Sequence, residues 1–405
     1  MVKYELSQEK LDVINKTRSN IFDWRGQFTP ELIEYLLSVF SKPGDVVADP
    51  FSGSGTVLLE SIRCGYDALG FEINPSAFYM SKFFEYCKLT LSKREELITE
   101  LRELVGYNIK NMNSDKMVYT KDNDYRTAYV ELLDFAKYCN SVIPNHLLPF
   151  VINVLFMCEK DKKMSLKASL VKNINSLKSL LFSLPETNNK IEANWSDARC
   201  ISEKYNEKID IIITSPPYIN VFNYHQNYRG IVECFNYNLL NVANSEIGSN
   251  RKNRQNRFKT VVQYAIDMGH VLQSCTSSLK TGGVMIWIVG RCSNVRKVPF
   301  YNSNIISDLV NIIPGLQLEQ ISQRQFGNRF GEKIIEDIII VKKTSNVALV
   351  PLSNTFEAIG IRHLEKALPY VEEKDKADIE VLINKHNTVI ESPILNKLNY
   401  DTISS

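Results

Sequence analysis

No two of the eight cysteines stand as Cys-x-x-Cys, and no cysteine–histidine cluster has the spacing of a zinc site. No metal is therefore expected, and scattered free thiols in a reducing compartment are. Long apolar runs are missing too. The longest, residues 146–158, contains Pro149 and Asn153 and is too short to cross a bilayer. No apolar signal region follows Met1-Val2-Lys3-Tyr4-Glu5, so a cytoplasmic location away from membranes is expected. Charge excess is nearly absent, with 48 Lys and Arg against 46 Asp and Glu. A nucleic-acid partner is neither demanded nor excluded by that balance, because a local basic patch decides the matter. Internal repeats are lacking as well. What remains is a chain of 405 residues, 44% apolar and 23% charged, which is ordinary for a globular protein. That length suits one large domain with an insertion, or two domains.

The chain is organised around Thr214-Ser215-Pro216-Pro217-Tyr218. The run before it, Ile209-Asp210-Ile211-Ile212-Ile213, reads as a buried parallel strand. Two prolines supply no N–H to a ladder, so the strand stops there and the chain turns outward. In open α/β sheets ligands bind at that carboxyl end. The turn offers a hydroxyl (Ser215), a carbonyl outside the ladder (Pro216) and an aromatic ring (Tyr218). Together they suit a planar base bearing an exocyclic amine. The plainer reading is a diproline loop with a packed tyrosine.

Upstream, Thr29 as N-cap and Pro30 at the first helical position start a helix that ends at Lys42-Pro43-Gly44-Asp45. A strand, Val46-Val47-Ala48, leads into Asp49-Pro50-Phe51-Ser52-Gly53-Ser54-Gly55-Thr56 and then a helix. Glycines in such a turn let the backbone approach a ligand at a positive helix end. It lacks the lysine of an ATP-binding loop and the third glycine of the dinucleotide fingerprint. Glu72 ends the next strand, about 20 residues beyond the turn, where an acid accepts from ribose hydroxyls. Its plainer reading is a solvated charge at a strand end. Helical periodicity prevails from 88 to 190 and reads as an insertion rather than an independent domain. The sheet resumes at 191, with Asp197 just beyond a short strand. Arg251, Lys252, Arg254, Arg257 and Lys259 place five cations in nine residues without an acid, a pattern that could track a phosphate backbone or be a solvated loop. Residues 316–326 and 333–343 are expected as an antiparallel pair. Residues 344–405 are a polar, partly helical tail without assigned chemistry.

The order of elements resembles an α/β, Rossmann-like S-adenosylmethionine-dependent methyltransferase sheet, mostly parallel with a terminal antiparallel hairpin, plus a helical insertion. At the two turns the chain resembles the DNA amino-methyltransferases that act on cytosine N4 or adenine N6. The match covers residues 25–87 and 191–343, the expected catalytic domain. It implies S-adenosyl-L-methionine as cofactor, double-stranded DNA as partner and a restriction endonuclease acting on the same site as counterpart. Phe28 and Thr29, within the segment from Arg25 to Pro30, would line the methionine end of the pocket. The turn Asp49, Pro50, Phe51, Gly53 and Gly55 would surround it, with Thr56 ordering the turn. Glu72 would hold the ribose and Asp197 the adenine amine. Ser215 and the Pro216 carbonyl, in the turn with Pro217, would hold the target amine, and Tyr218 would stack on the flipped base. Ser-Pro-Pro-Tyr is commonest in the cytosine N4 enzymes, so cytosine is the first expectation and adenine the alternative. An RNA amino-methyltransferase and an inactive DNA-binding scaffold are the other readings to be tested.

Overall fold

The structure, a computed structural model, describes residues 4–395 except 113–123, 162–163, 221–223, 250–252, 254, 328–330, 349 and 386–388. Nine strands are described: β1 (Val46–Asp49), β2 (Asp67–Glu72), β3 (Ile191–Trp195), β4 (Ile209–Thr214), β5 (Leu279–Gly290), β6 (Cys292–Val295), β7 (Val298–Tyr301), β8 (Leu316–Gly327) and β9 (Lys333–Lys343). Seven form one sheet in the order β3-β2-β1-β4-β5-β9-β8, and β6 pairs with β7 separately. Strands β1 to β5 run parallel, while β9 is antiparallel to both β5 and β8. The chain crosses from β2 and β3 on one side of β1 to β4 and β5 on the other. This reversal opens a crevice at the carboxyl ends of β1 and β4, the usual ligand position in such sheets.

Both faces of the sheet are covered, which explains why its central strands are nearly all apolar. Val47, Ile211, Ile213, Ile286, Ile288, Ile338 and Ile340 share one buried cluster with Leu32, Ile33, Leu36 and Leu37 of helix Pro30–Phe40. Ala48, Ile212, Met285, Trp287, Ile339 and Val341 lie in a second cluster with helix Lys259–Ser278. The alternation is the period of two that a pleated strand imposes. Thr281-Gly282-Gly283 lies within β5 as an irregularity, because the register of β4 on β5 jumps from Ile209↔Leu279 to Ile211↔Val284.

Helices Leu91–Asn111, Asp124–Val142, Leu148–Lys160 and Leu166–Ser183 make up the described part of the 88–190 region. Their apolar faces join one core with Leu58, Leu59, Ala77, Phe83 and Phe84. The apolar run at 146–158 becomes a buried helix because Pro149 falls in its first turn, where its missing N–H costs nothing. Asn153 satisfies its buried amide on the carbonyls of Tyr79 and Pro149. Among the described residues no helix is long and apolar enough to cross a membrane.

After β9, helix Ser353–Ala367 lies across helix Lys259–Ser278. The crossing is close. A Cβ on Gly269 would stand 2.4 Å from the Phe356 ring, and one on Gly360 2.7 Å from the Val262 backbone. Helix Glu373–Asn384 follows, and Ser392 ends up buried against Asp267. Residues of the expected tail thus complete the second core cluster.

Candidate active site

The β1 and β4 turns meet through side chains. Asp49, the last residue of β1, accepts from the Thr214 hydroxyl at 2.6 Å and from the Phe51 N–H at 3.0 Å on the same oxygen. Thr214 immediately precedes Ser215, so one buried carboxylate spans the two sequence motifs. Burial pushes the Asp49 carboxyl up to about 7, against the two hydrogen bonds that favour its charge.

Glu72 closes the other side of the glycine turn. Its two oxygens accept from the Gly53 N–H at 2.9 Å and the Asn74 N–H at 2.7 Å. A carboxylate has roughly four acceptor positions, so two remain for a ligand. Burial, with help from the charges of Asp49 and Glu246, raises Glu72 to about 7. The Ser52 N–H donates to the Phe71 carbonyl, which fixes the turn to β2.

Residues 17–28 lie over this turn. Thr56 donates to Asn20 at 3.2 Å, and Asn20 in turn donates to the Phe28 carbonyl at 2.7 Å. Thr56 therefore orders the turn by holding the preceding segment onto it. Trp24 packs close to Gly53 and stacks on Tyr224 at 5.8 Å and 22°.

One pocket gathers Phe28, Asp49, Pro50, Phe51, Gly53, Thr56, Glu72 and Asp197 together with Ser215, Pro216, Pro217 and Tyr218. Two expected members do not line it. Gly55, at φ +88°, faces helix Pro75–Lys82: a Cβ there would stand 2.8 Å from the Ser81 backbone and 2.9 Å from Phe84. Its glycine is demanded by helix packing. Thr29 occupies the N-cap position without making a side-chain cap bond. The start of that helix rests on Pro30 and on the backbone.

Asp197 lies in the pocket wall, but Arg199 occupies much of it. Its Oδ1 accepts from the Arg199 N–H and Nε, and its Oδ2 accepts from Nη2 at 2.6 Å. One acceptor position on Oδ2 is left for a ligand amine. Arg199 also reaches Asp267 and the carbonyls of Ser392 and Pro393, so the C-terminal segment buttresses this wall.

In the Ser215-Pro216-Pro217-Tyr218 turn, Ser215 Oγ lies 3.2 Å from the Tyr218 hydroxyl, which donates to Glu336 at 3.2 Å. Burial pushes the Tyr218 phenol well above its usual range. One part of the ring lies over Gly290, where a Cβ would come within 2.7 Å. Residues 245–249 close over the turn: the Asn220 N–H donates to the Gly248 carbonyl, and Gly248, at φ +74°, has no room for a Cβ beside the Tyr218 carbonyl. Glu246 in that segment accepts from the His225 N–H and pairs with its ring at 2.8 Å.

The basic run reaches the structure in part. Arg257 is exposed and Lys259 half-buried, beyond residues 245–249, while Arg251, Lys252 and Arg254 lie outside the described residues. Trp24, Tyr224, His225, Glu246 and Glu336 had no place in the sequence reading. A lone tryptophan beside Arg25-Gly26 and an acidic pair, Glu336-Asp337, inside an isoleucine-rich strand were the available signals.

The cavity's charged lining is mostly acidic, with Asp49, Glu72, Asp197 and Glu246 against Arg25, and aromatic Trp24, Phe28 and Tyr224 line it too. Such a set fits a cationic ligand that carries hydroxyls and a flat ring.

Residues 6–83 match the family model described as DNA methylase, N6_N4_Mtase. Over 102 residues the chain is 28% identical to the type II methyltransferase M.MjaII of Methanocaldococcus jannaschii, covering 25% of this chain and 19% of that protein. Over 265 residues it is 24% identical to the type II methyltransferase M.BsoBI of Geobacillus stearothermophilus, covering 53% and 52%. The chain thus spans from about a fifth to about half of these relatives. Among solved structures, a SAM-dependent methyltransferase of Methanosarcina mazei matches 77% of this chain and 98% of its own at 10% identity and a TM-score of 0.35. An rRNA methylase of Streptococcus thermophilus matches 78% and 96% at 6% identity and a TM-score of 0.31.

Proposed function

We propose that this relative of the N6/N4 DNA methylases transfers a methyl group from S-adenosyl-L-methionine to an exocyclic base amine in double-stranded DNA. Cytosine N4 is the favoured target. The observation that carries this reading is the junction of the two turns in one pocket, through the Thr214–Asp49 hydrogen bond. Family similarity over residues 6–83 supports the cofactor half of the site.

When bound, the cofactor supplies an electrophilic methyl group on a sulfonium. Glu72 would accept from the ribose hydroxyls, and the last acceptor position of Asp197 would take the adenine amine. Trp24, Phe28 and the backbone around Asp49 and Gly53 would hold the methionine end. The acidic lining suits the positive charges of the ligand.

The target amine is a weak nucleophile because its lone pair is delocalised into the base. Acceptors around it would favour a tetrahedral nitrogen and stabilise the positive charge that develops, and Ser215 Oγ and the Pro216 carbonyl are those acceptors; the carbon–sulfur bond breaks as the carbon–nitrogen bond forms, a neutral thioether leaves, and the amine's surplus proton is lost after transfer. Holding the amine in line with the methyl group accounts for most of the remaining effect. No cysteine nucleophile is required. Inside a duplex the base is inaccessible, so it has to be flipped out at about a few kcal/mol, and stacking on Tyr218 returns about 1–3 kcal/mol. Serine at 215 favours cytosine over adenine, since the adenine enzymes that the turn resembles more often carry Asp or Asn there.

Arg257 and Lys259, with Arg251, Lys252 and Arg254 of the same run, are assigned to the DNA backbone. The two relatives are type II methyltransferases by name, and a place in a restriction–modification pair, with an endonuclease reading the same site, is proposed here too. The test is to incubate the protein with methyl-labelled cofactor and mixed-sequence duplex DNA, then identify the labelled nucleoside. N4-methylcytosine is expected. N6-methyladenine would reassign the base, and label in RNA alone would reassign the polymer.

A further inference from the structure

The catalytic turn does not end at Tyr218. Glu336, in the middle of β9, lies in register between Gly290 of β5 and Arg324 of β8. Its Oε1 accepts from the Tyr218 hydroxyl at 3.2 Å, and its Oε2 lies 3.4 Å from Arg324 Nε. Tyr218 Oη is also 3.2 Å from Ser215 Oγ. Four side chains therefore form one line: Ser215, Tyr218, Glu336 and Arg324. The site is built for it, because only glycine at 290 leaves space for the Tyr218 ring over β5. Glu336 and Arg324 are 15% and 5% exposed, so neither is a surface charge that happens to lie nearby.

The chemistry of each group gives the line a direction. An ionised carboxylate can only accept, so the single phenol proton of Tyr218 goes to Glu336. The phenol oxygen then faces Ser215 with lone pairs alone. The single proton of Ser215 therefore goes to Tyr218, and Ser215 Oγ keeps both lone pairs for a donor in the pocket. We infer that Glu336 and Arg324 are positioning residues that direct this hydrogen-bond chain, so that Ser215 presents lone pairs rather than its proton to the target amine. The inference rests on the amino-methyl transfer reading and assigns that reaction two residues far from the motif in sequence.

Arg324 has a definite part. Burial favours the protonated form of Glu336, which could donate to Tyr218 and reverse the chain; the guanidinium opposes this. Among the described residues, the charged and titratable groups facing the pair are Tyr218, which faces Glu336 from the turn, and Asp12, which acts on Arg324 from helix Gln8–Asp12; β5 contributes Gly290 in register. Nε and Nη1 of Arg324 are both buried without a hydrogen-bond partner, so its contact with Glu336 is an ion pair and not a hydrogen bond, made beside the Phe326 ring 4.6 Å from the guanidinium.

The experiment compares Glu336→Gln, Tyr218→Phe and the double variant. Glutamine keeps the shape; with its one oxygen held by the Arg324 cation, its NH2 faces Tyr218 as a donor where Glu336 Oε1 only accepts. Single-turnover methyl transfer to duplex DNA is measured at saturating cofactor, alongside cofactor affinity by calorimetry. The expected result is a rate loss of about tenfold or more for each single variant, with cofactor affinity changed by less than about twofold. The double variant should be no slower than Tyr218→Phe alone, because both act through one chain. Unchanged rate in Glu336→Gln, or fully additive losses, would overturn the inference. Should Glu336→Gln not fold, Arg324→Gln makes the same test by removing the charge that keeps Glu336 ionised, with a rate loss expected and unchanged rate contradicting it. Failure of the wild-type protein to methylate any DNA amine would instead overturn the functional reading on which this one stands.

Discussion

Glu72 and Asp49 hold the pocket by opposite means. Glu72 lines the pocket, where the proposed reading has it accept from the ribose, and its carboxyl is raised to about 7 by burial. Ribose hydroxyls donate to the ionised form, so binding competes with its protonation. Cofactor affinity should therefore fall as pH drops from 8 to 6, and Glu72→Ala should weaken binding by about 1.5–3 kcal/mol at pH 8. Calorimetry across that range checks both, and a flat profile with unchanged affinity in the variant would contradict the ribose role. Asp49 faces its own protein. Its pKa is raised from 3.8 to about 7, so the folded state binds a proton more tightly than the unfolded chain. Stability then decreases as pH rises between those values. Asp49→Asn should accordingly raise the melting temperature at pH 8, with the gain shrinking towards pH 5. Tyr218→Ala should reduce methyl transfer far more than cofactor affinity, since the ring serves the base. Equal losses of both would refute the stacking role. Gly55→Ala should cost more than about 1 kcal/mol in stability, because φ is +88° and the Ser81 backbone cannot give way. Denaturant unfolding measures this, and full stability would show that the helix contact can relax.

Elements that depend on local chemistry were legible in the sequence, and those that depend on distant partners were not. The strand–turn–helix at 46–63 and the strand ending at Thr214 follow from apolar runs closed by glycine or proline, and the structure places them as read. The β8–β9 pair was readable from its loop length. The β6–β7 hairpin was missed, since its four-residue strands are too short for a period to show. Gly55 shows a second reason for glycine. A glycine-rich turn signals close approach of something, and at 55 the protein's own Ser81 backbone and Phe84 approach. Glu336 and His225 acquire meaning only when the sheet and loops bring Tyr218 and Glu246 beside them. The C-terminal segment has the same origin: its helical part was expected and is found, but its polar composition gave no sign of the strap that follows. Ser392 donates twice to Asp267, and its carbonyl accepts from Arg199, which grips Asp197. Deleting residues 389–405 should leave buried donors and acceptors unpaired, costing on the order of 3 kcal/mol. It should also weaken cofactor binding through Asp197. Intact affinity with lowered stability would confine the strap to a structural role.

At the scale of the molecule, the doubly covered sheet presents its pocket at the β1/β4 reversal, and residues 245–249 join that pocket to the basic run. Arg257 and Lys259, which follow those residues in the chain, are given to the DNA backbone by the proposed reading. Replacing both with Ala should weaken DNA binding across sequences and reduce the salt dependence by about one counterion for each lost phosphate contact. Fluorescence anisotropy titrations at several salt concentrations would show it, and an unchanged slope would remove the run from the interface.

The central claim is the union of two turns in one amino-methylating site, and the most direct test is the identity of the methylated nucleoside. Purified protein, labelled S-adenosyl-L-methionine and mixed-sequence duplex DNA or total RNA are incubated, digested and resolved by mass spectrometry. The account predicts N4-methylcytosine in DNA and its loss in Ser215→Ala. Cofactor binding without label in either polymer would contradict it.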